Sequence, residues 1–103
     1  MIPKLVRNFI PKIIESQGQV PVYYQADDEE YWEKLMEKLI EEVHEFINSE
    51  NNIEEIADIL EVLDAIMLFK NISRDAVNQI KNKKAQSNGT FSDKIILSSI
   101  KDS

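Results

Sequence analysis

A chain of 103 residues has the size of one domain, here residues 1–103, and its 43% apolar content with only two glycines favours a helical globular fold. Nineteen acidic against twelve basic residues give a net charge of -7, which argues against binding to nucleic acid or to anionic membranes. The absence of cysteine excludes disulfides and thiolate metal sites. Because no apolar run suits a signal peptide or a membrane helix, we expect a cytoplasmic protein.

The first half of the chain predicts two helices. One starts at Pro11 and ends at Gly18, since proline suits a first helical turn and glycine a stop. Residues 20–25 are β-branched and aromatic around a proline, which predicts a short extended connection or edge strand. The second helix begins with Asp27 and Asp28 as capping residues. Its apolar positions recur with helical spacing at Trp32, Leu35, Met36, Leu39, Ile40, Val43, Phe46 and Ile47.

The second half predicts an antiparallel hairpin and a further helix. The polar run 48–52 has the length of a helix–helix connection, and the third helix covers residues 53–69. A fourth helix starts after Ser73 and closes at Gly89. We expect an all-α antiparallel bundle. A C-terminal apolar patch is expected to pack either on this bundle or on a second subunit. This patch comprises Phe91, Ile95, Ile96 and Leu97.

Acidic residues of the third helix fall among apolar ones. With about 100° between successive residues, Glu55 lies in an arc with Ile59 and Val62, while Asp58 lies beside Phe69. An unpaired carboxylate on a buried face is costly, so these positions predict a cation partner.

The second helix carries a matching pair. Glu42 borders its apolar stripe, Glu45 lies three residues further on, and an antiparallel hairpin turns both towards Glu55 and Asp58. Carboxylates without histidine or cysteine among them suit Mg²⁺ or Mn²⁺. The alternative is a solvated acidic rim, which is common on helices.

These residues also carry a family resemblance. The pattern EExxE at Glu41, Glu42 and Glu45, followed by ExxD at Glu55 and Asp58, resembles that of the MazG-like all-α nucleoside triphosphate pyrophosphatases. The opening KLVRNFIPKIIESQG and the closing KKAQSNGTF are similar to the opening and closing motifs of a small-protein branch, the phosphoribosyl-ATP pyrophosphohydrolase-like proteins. The resemblance spans nearly the whole chain.

The resemblance implies a Mg²⁺-dependent hydrolase that cuts between the α and β phosphates of a nucleoside triphosphate. It implies that Glu42, Glu45, Glu55 and Asp58 hold the metal, which neutralises phosphate charge and activates water. Glu41 would be a further catalytic acid that helps to place the metal or the attacking water.

In the opening and closing motifs, Lys4, Arg7 and Lys84 are the expected phosphate ligands. For Lys4 and Arg7, an ion pair between subunits is the alternative. The metal motif is intact, and the chain departs from the branch in the opening and closing motifs, at Asn8, Phe9, Asn88 and Thr90.

Three functions remain open on this basis: house-cleaning hydrolysis of nucleoside triphosphates, hydrolysis of phosphoribosyl-ATP in histidine synthesis, and a non-catalytic helical dimerisation module. The third helix is apolar over more than the roughly 100° that one partner helix covers. We therefore expect a homodimer or a tetramer.

Overall fold

The computed structural model describes residues 2–50 and 52–102, and within them all regular structure is helical. The helices are α1 (Ile10–Ser16), α2 (Asp28–Asn48), α3 (Asn52–Phe69) and α4 (Arg74–Asn88). Residues 20–25 form neither helix nor strand. The predicted all-α class is confirmed for the described part of the chain. None of these helices is long and apolar enough to cross a membrane.

Local capping explains the helix boundaries. The Asp27 side chain accepts a hydrogen bond of 2.9 Å from the Glu30 backbone N–H, and Ser73 accepts one of 3.0 Å from the Ala76 N–H. Both satisfy donors that the first helical turn leaves unpaired. Gly89 follows α4 with a φ of 84°, a conformation that favours glycine. The predicted starts of α2 and α4 and the end of α4 are confirmed.

Helices α2 and α3 form an antiparallel hairpin. At one end, the rings of Tyr31 and Trp32 near the start of α2 lie 5.2 Å and 6.0 Å from the ring of Phe69, the last residue of α3. The Lys70 ammonium caps this stack, 4.2 Å from the Trp32 ring. Between the helices Leu35 is only 1% exposed. The aromatic stack fixes the register that brings the acidic residues together further along the hairpin.

The segment before α1 lies across the hairpin. The Lys34 ammonium of α2 donates a 3.3 Å hydrogen bond to the Pro3 carbonyl oxygen. Arg7 reaches α3, where its guanidinium donates to Asp58 at 2.8 Å. These two contacts place Lys4 and Arg7, two of the three predicted phosphate ligands, beside the acidic residues.

In the described residues of one chain, the hairpin is the part of the expected oligomeric antiparallel bundle that is present, and completion of the bundle by a second subunit stays a prediction. In the described residues, α2 and α3 are the one pair of helices that packs extensively. The molecule extends over 67 Å in its longest dimension, because α4 leaves the hairpin. Of the two placements expected for the C-terminal patch, the one on its own bundle is not seen, since its four side chains are at least 75% exposed, and the one on a second subunit stays a prediction. Helix α4 has few large apolar residues, so it gains little by lying on its own hairpin.

Candidate metal centre

Three carboxylates meet in the hairpin. Oxygen atoms of Glu42 and Glu45 on α2 and of Asp58 on α3 all lie within 4.8 Å of one another. The two glutamates share a face because they are three residues apart. The antiparallel arrangement brings Asp58 opposite them. The predicted juxtaposition is confirmed for these three residues, and their role as metal ligands stays a prediction.

Glu42 is the most unusual of the three, because it is buried and incompletely paired. The residue is 5% exposed. One carboxylate oxygen lies 3.4 Å from the Lys38 ammonium, whereas the other is buried and has no hydrogen-bond partner. Burial raises the pKa of Glu42, the charges of Glu45 and Asp58 add to the increase, and Lys38 opposes it. A cation at this point would satisfy the unpaired oxygen.

The chemistry of the donor set fits a hard divalent cation. All three residues offer carboxylate oxygen, the ligand that Mg²⁺ and Mn²⁺ prefer. Zinc sites more often contain histidine or cysteine. The one histidine, His44, is exposed.

Glu55, the fourth expected ligand, has a different setting. Its residue is half-buried, as the helix geometry predicted, and one of its carboxylate oxygens is buried without a hydrogen-bond partner. However, Glu55 does not belong to the group of oxygens within 4.8 Å. The structure therefore supports the expected burial of Glu55 but does not bring it into the cluster.

Basic side chains already pair with several of the acids. Arg7 binds Asp58 at 2.8 Å, and the Lys4 ammonium lies 3.9 Å from Glu41. Both pairs form within one chain, whereas the alternative we considered placed them between subunits. Phosphate binding by Lys4 and Arg7 stays a prediction. Lys84 forms no ion pair with these acids in the described part of the chain.

Lys38 is a component of the site that our sequence reasoning missed. It is mostly buried and lies 3.5 Å from Glu41 and 3.4 Å from Glu42. Its spacing of three and four residues from these acids could have identified it. Beside it is a cavity of about 220 Å³. The cavity is lined by Lys4, Leu5, Lys34, Glu37, Lys38, Ile40 and Glu41.

Comparisons with known proteins give little functional information. No family model matches the chain. A 42-residue segment is 48% identical to an uncharacterised protein of Mycolicibacterium smegmatis, and the match covers 41% of this chain and 43% of that protein. The chain therefore spans less than half the length of this relative. No solved structure matches.

Proposed function

We propose that the protein is a Mg²⁺-dependent nucleoside triphosphate pyrophosphohydrolase, which releases a nucleoside monophosphate and pyrophosphate in the upkeep of cytoplasmic nucleotide pools. One observation carries the proposal: Glu42 presents a buried oxygen without a hydrogen-bond partner in a cluster with Glu45 and Asp58. Mere solubility does not require a carboxylate in this position. The resemblance of three ordered motifs to the pyrophosphatases supplies the reaction.

The metal ligands in this proposal are Glu42, Glu45 and Asp58, with Glu55 nearby on α3 as a fourth acid. The bound ion, Mg²⁺ or alternatively Mn²⁺, supplies positive charge against the phosphates and promotes ionisation of water. The chain contributes a fixed hairpin, so the ligands are arranged before the ion binds. Such preorganisation lowers the cost of binding.

The remaining polar residues are proposed to position the attacking water and to bind the phosphates of the substrate. Glu41 lies one residue before Glu42 and is about one-third exposed, and its proposed role is to help place the metal or the attacking water. Arg7 and Lys4 lie next to the acids and can bind phosphate oxygens. Lys84 on α4 is the third proposed phosphate ligand.

The proposed assembly is a homodimer or a tetramer. Large apolar residues remain exposed on α3, including Leu60 at 56%. A small hairpin buries too little surface to be strongly stable alone. Self-association would cover this surface.

A non-catalytic helical dimerisation module is the second candidate. It is favoured by the pairs Arg7–Asp58 and Lys4–Glu41, which balance two of the acids without any metal. On this reading the acids serve stability and solubility.

Pyrophosphate release separates the two candidates. We expect wild-type protein with Mg²⁺ to release pyrophosphate from at least one member of a panel of nucleoside triphosphates and phosphoribosyl-ATP. Asp58→Asn should lose most of this activity, since it removes one anionic ligand. Glu61→Gln, which neutralises an exposed acid on the same helix, is the matched control and should retain it. No release from any nucleotide, or equal activity in both variants, would reject the proposed chemistry.

A further inference from the structure

The last quarter of the chain forms an arm that has little contact with the rest of the molecule. The arm consists of α4 and the following segment, residues 74–100. Within the described residues α4 packs extensively on no other helix. The segment after Gly89 carries five large apolar side chains that are 75% to 98% exposed. These are Phe91, Ile95, Ile96, Leu97 and Ile100.

A second apolar surface lies on α3, on the side away from α2. Ile56, Leu60 and Leu63 recur at helical spacing and are 37% to 56% exposed. Each lies about 100° or more around the helix from the buried Val62. These three residues form the α3 stripe. Helix α3 thus has one apolar side against α2 and another that α2 cannot cover.

Charge distinguishes the arm from the hairpin. Helix α4 has four basic residues against one acidic residue. Helix α2 has eight acidic residues against two basic ones, and α3 has five acidic residues and no basic one. The arm and the hairpin are therefore complementary in charge as well as in apolar character.

The connection between α3 and α4 keeps the arm away from its own stripe. The Ile72 backbone N–H donates to the Met67 carbonyl oxygen at 2.9 Å, and Asn71 has a φ of 55°. This is a fixed helix end of the kind that left-handed residues produce. An ion pair between Arg74 and Asp64 holds the first turn of α4 to α3. The turn sets the direction of α4, which extends the molecule instead of folding it back.

We propose that the arm of one copy docks on the α3 stripe of a second copy, and that the exchange is reciprocal. The five arm side chains are 75% to 98% exposed, and an aromatic side chain such as Phe91 can bury on the order of 150 Å² or more. Specific interfaces bury roughly 800 Å² per partner, and a reciprocal exchange contributes two arm contacts to the dimer instead of one. The inference builds on the proposed self-association and is independent of the proposed chemistry.

Cross-linking tests whether the arm binds its own chain or a second copy. The chain has no cysteine, so single cysteines can be introduced without background. Differently tagged Leu60→Cys and Ile96→Cys chains are mixed and treated with a short bis-maleimide. We expect covalent heterodimers. Replacing Leu60→Cys by Glu61→Cys, which is exposed on another side of α3, should give far fewer. A chain that carries both Leu60→Cys and Ile96→Cys is treated in the same way. If cross-links form only within this chain, and not between the singly substituted chains, the exchange is overturned.

Light scattering provides an independent measurement of mass. Ile96→Asp and Leu60→Asp each place a charge in the proposed contact and should weaken dimerisation about tenfold or more. Ser99→Asp adds the same charge at a polar position of the arm and should leave the mass unchanged. Circular dichroism verifies folding of each variant. A wild-type mass of one chain would overturn both self-association and the arm, whereas a dimer insensitive to Ile96→Asp would overturn the arm alone. Pyrophosphate release by wild-type protein is measured separately, so failure of the arm and failure of the proposed chemistry are distinguishable.

Discussion

At the scale of single residues, Arg7 has two proposed partners that compete. It pairs with Asp58, a proposed metal ligand, and it is also a proposed phosphate ligand. Arg7→Ala should therefore tighten Mg²⁺ binding and weaken nucleotide binding. Because both side chains of the pair are partly exposed, the gain for Mg²⁺ should be modest, about two- to fivefold.

Calorimetric titrations with Mg²⁺ alone and then with nucleotide would measure the two effects separately. Arg74→Ala is the control. It breaks an ion pair with Asp64, which lies on α3 like Asp58, and it should change neither affinity. Weaker Mg²⁺ binding in Arg7→Ala would contradict the competition.

Glu42 should make stability depend on pH in the direction opposite to that of most acids. Its folded-state pKa is raised by burial and by Glu45 and Asp58, with Lys38 opposing. The contribution of Glu42 to stability is therefore greatest below the unfolded-state pKa near 4.5 and falls as pH rises from there through the raised value. Glu42→Gln removes this loss. Metal-free Glu42→Gln should be more stable than wild type at pH 7 and equal to it in acid.

Urea unfolding of metal-free protein across this pH range would test the prediction. Glu54→Gln changes an exposed acid on α3 and should leave the profile unchanged. A Glu42→Gln protein that is less stable at pH 7 would show that the Lys38 pair outweighs the burial of the charge.

Contacts between residues close in sequence were predictable, whereas contacts between distant residues were not. The facing of Glu42 and Glu45 followed from a spacing of three residues. The pair of Arg7 and Asp58 joins residues 51 apart, so local periodicity could not reveal it. The prediction that Glu55 joins the cluster failed because a helical wheel gives the direction of a side chain but not its rotamer.

At the scale of elements, helix ends were predictable because their signals are local. Asp27 and Ser73 cap the helices that follow them, and Gly89 ends α4. The packing of α4 was not predictable in the same way. Its cap residues fix where the helix begins and ends but carry no information about what it lies against.

The hairpin formed by α2 and α3 should respond to metal as a unit. If Mg²⁺ binds only the folded protein, it stabilises the fold by about 2.7 kcal/mol at a hundredfold excess over its dissociation constant. The melting temperature of wild type should then rise by about 10 °C or more for a chain of this size. Asp58→Asn should lose most of this rise, and its metal-free form should be at least as stable as wild type, because mutual repulsion of the acids decreases.

Thermal unfolding monitored by circular dichroism with and without Mg²⁺ would measure the response. Glu61→Gln, on the same helix but outside the cluster, should behave like wild type. A wild-type melting temperature that Mg²⁺ does not change would favour the non-catalytic module.

At the scale of the whole molecule, the apolar pattern of α3 predicted that more than one side needs cover. It could not identify what provides the cover, because any apolar surface of suitable shape meets that need. The structure narrows the choice of what covers α3. The same chain exposes both the α3 stripe and an apolar arm, so the arm of a second copy can provide the cover.

Exchange of the arm has a consequence for the site. Lys84 lies on α4, and in its own chain it forms no ion pair with the clustered acids in the described residues. If Lys84 of the docked arm reaches around the partner's α3 to phosphate bound beside the acidic cluster, it acts in the site of the other chain. Asp58→Asn and Lys84→Ala then inactivate sites through different chains.

Mixing the two inactive variants should therefore restore activity. Each mixed dimer has one site with both defects and one with neither, so random pairing gives about a quarter of wild-type activity. Refolding the variants together, followed by a pyrophosphate assay, would measure the recovery. Asp58→Asn mixed with Glu42→Gln is the matched control: both changes lie on the hairpin, every site keeps one defect, and activity should stay low. Recovery absent from both mixtures would mean that Lys84 acts within its own chain or outside the site.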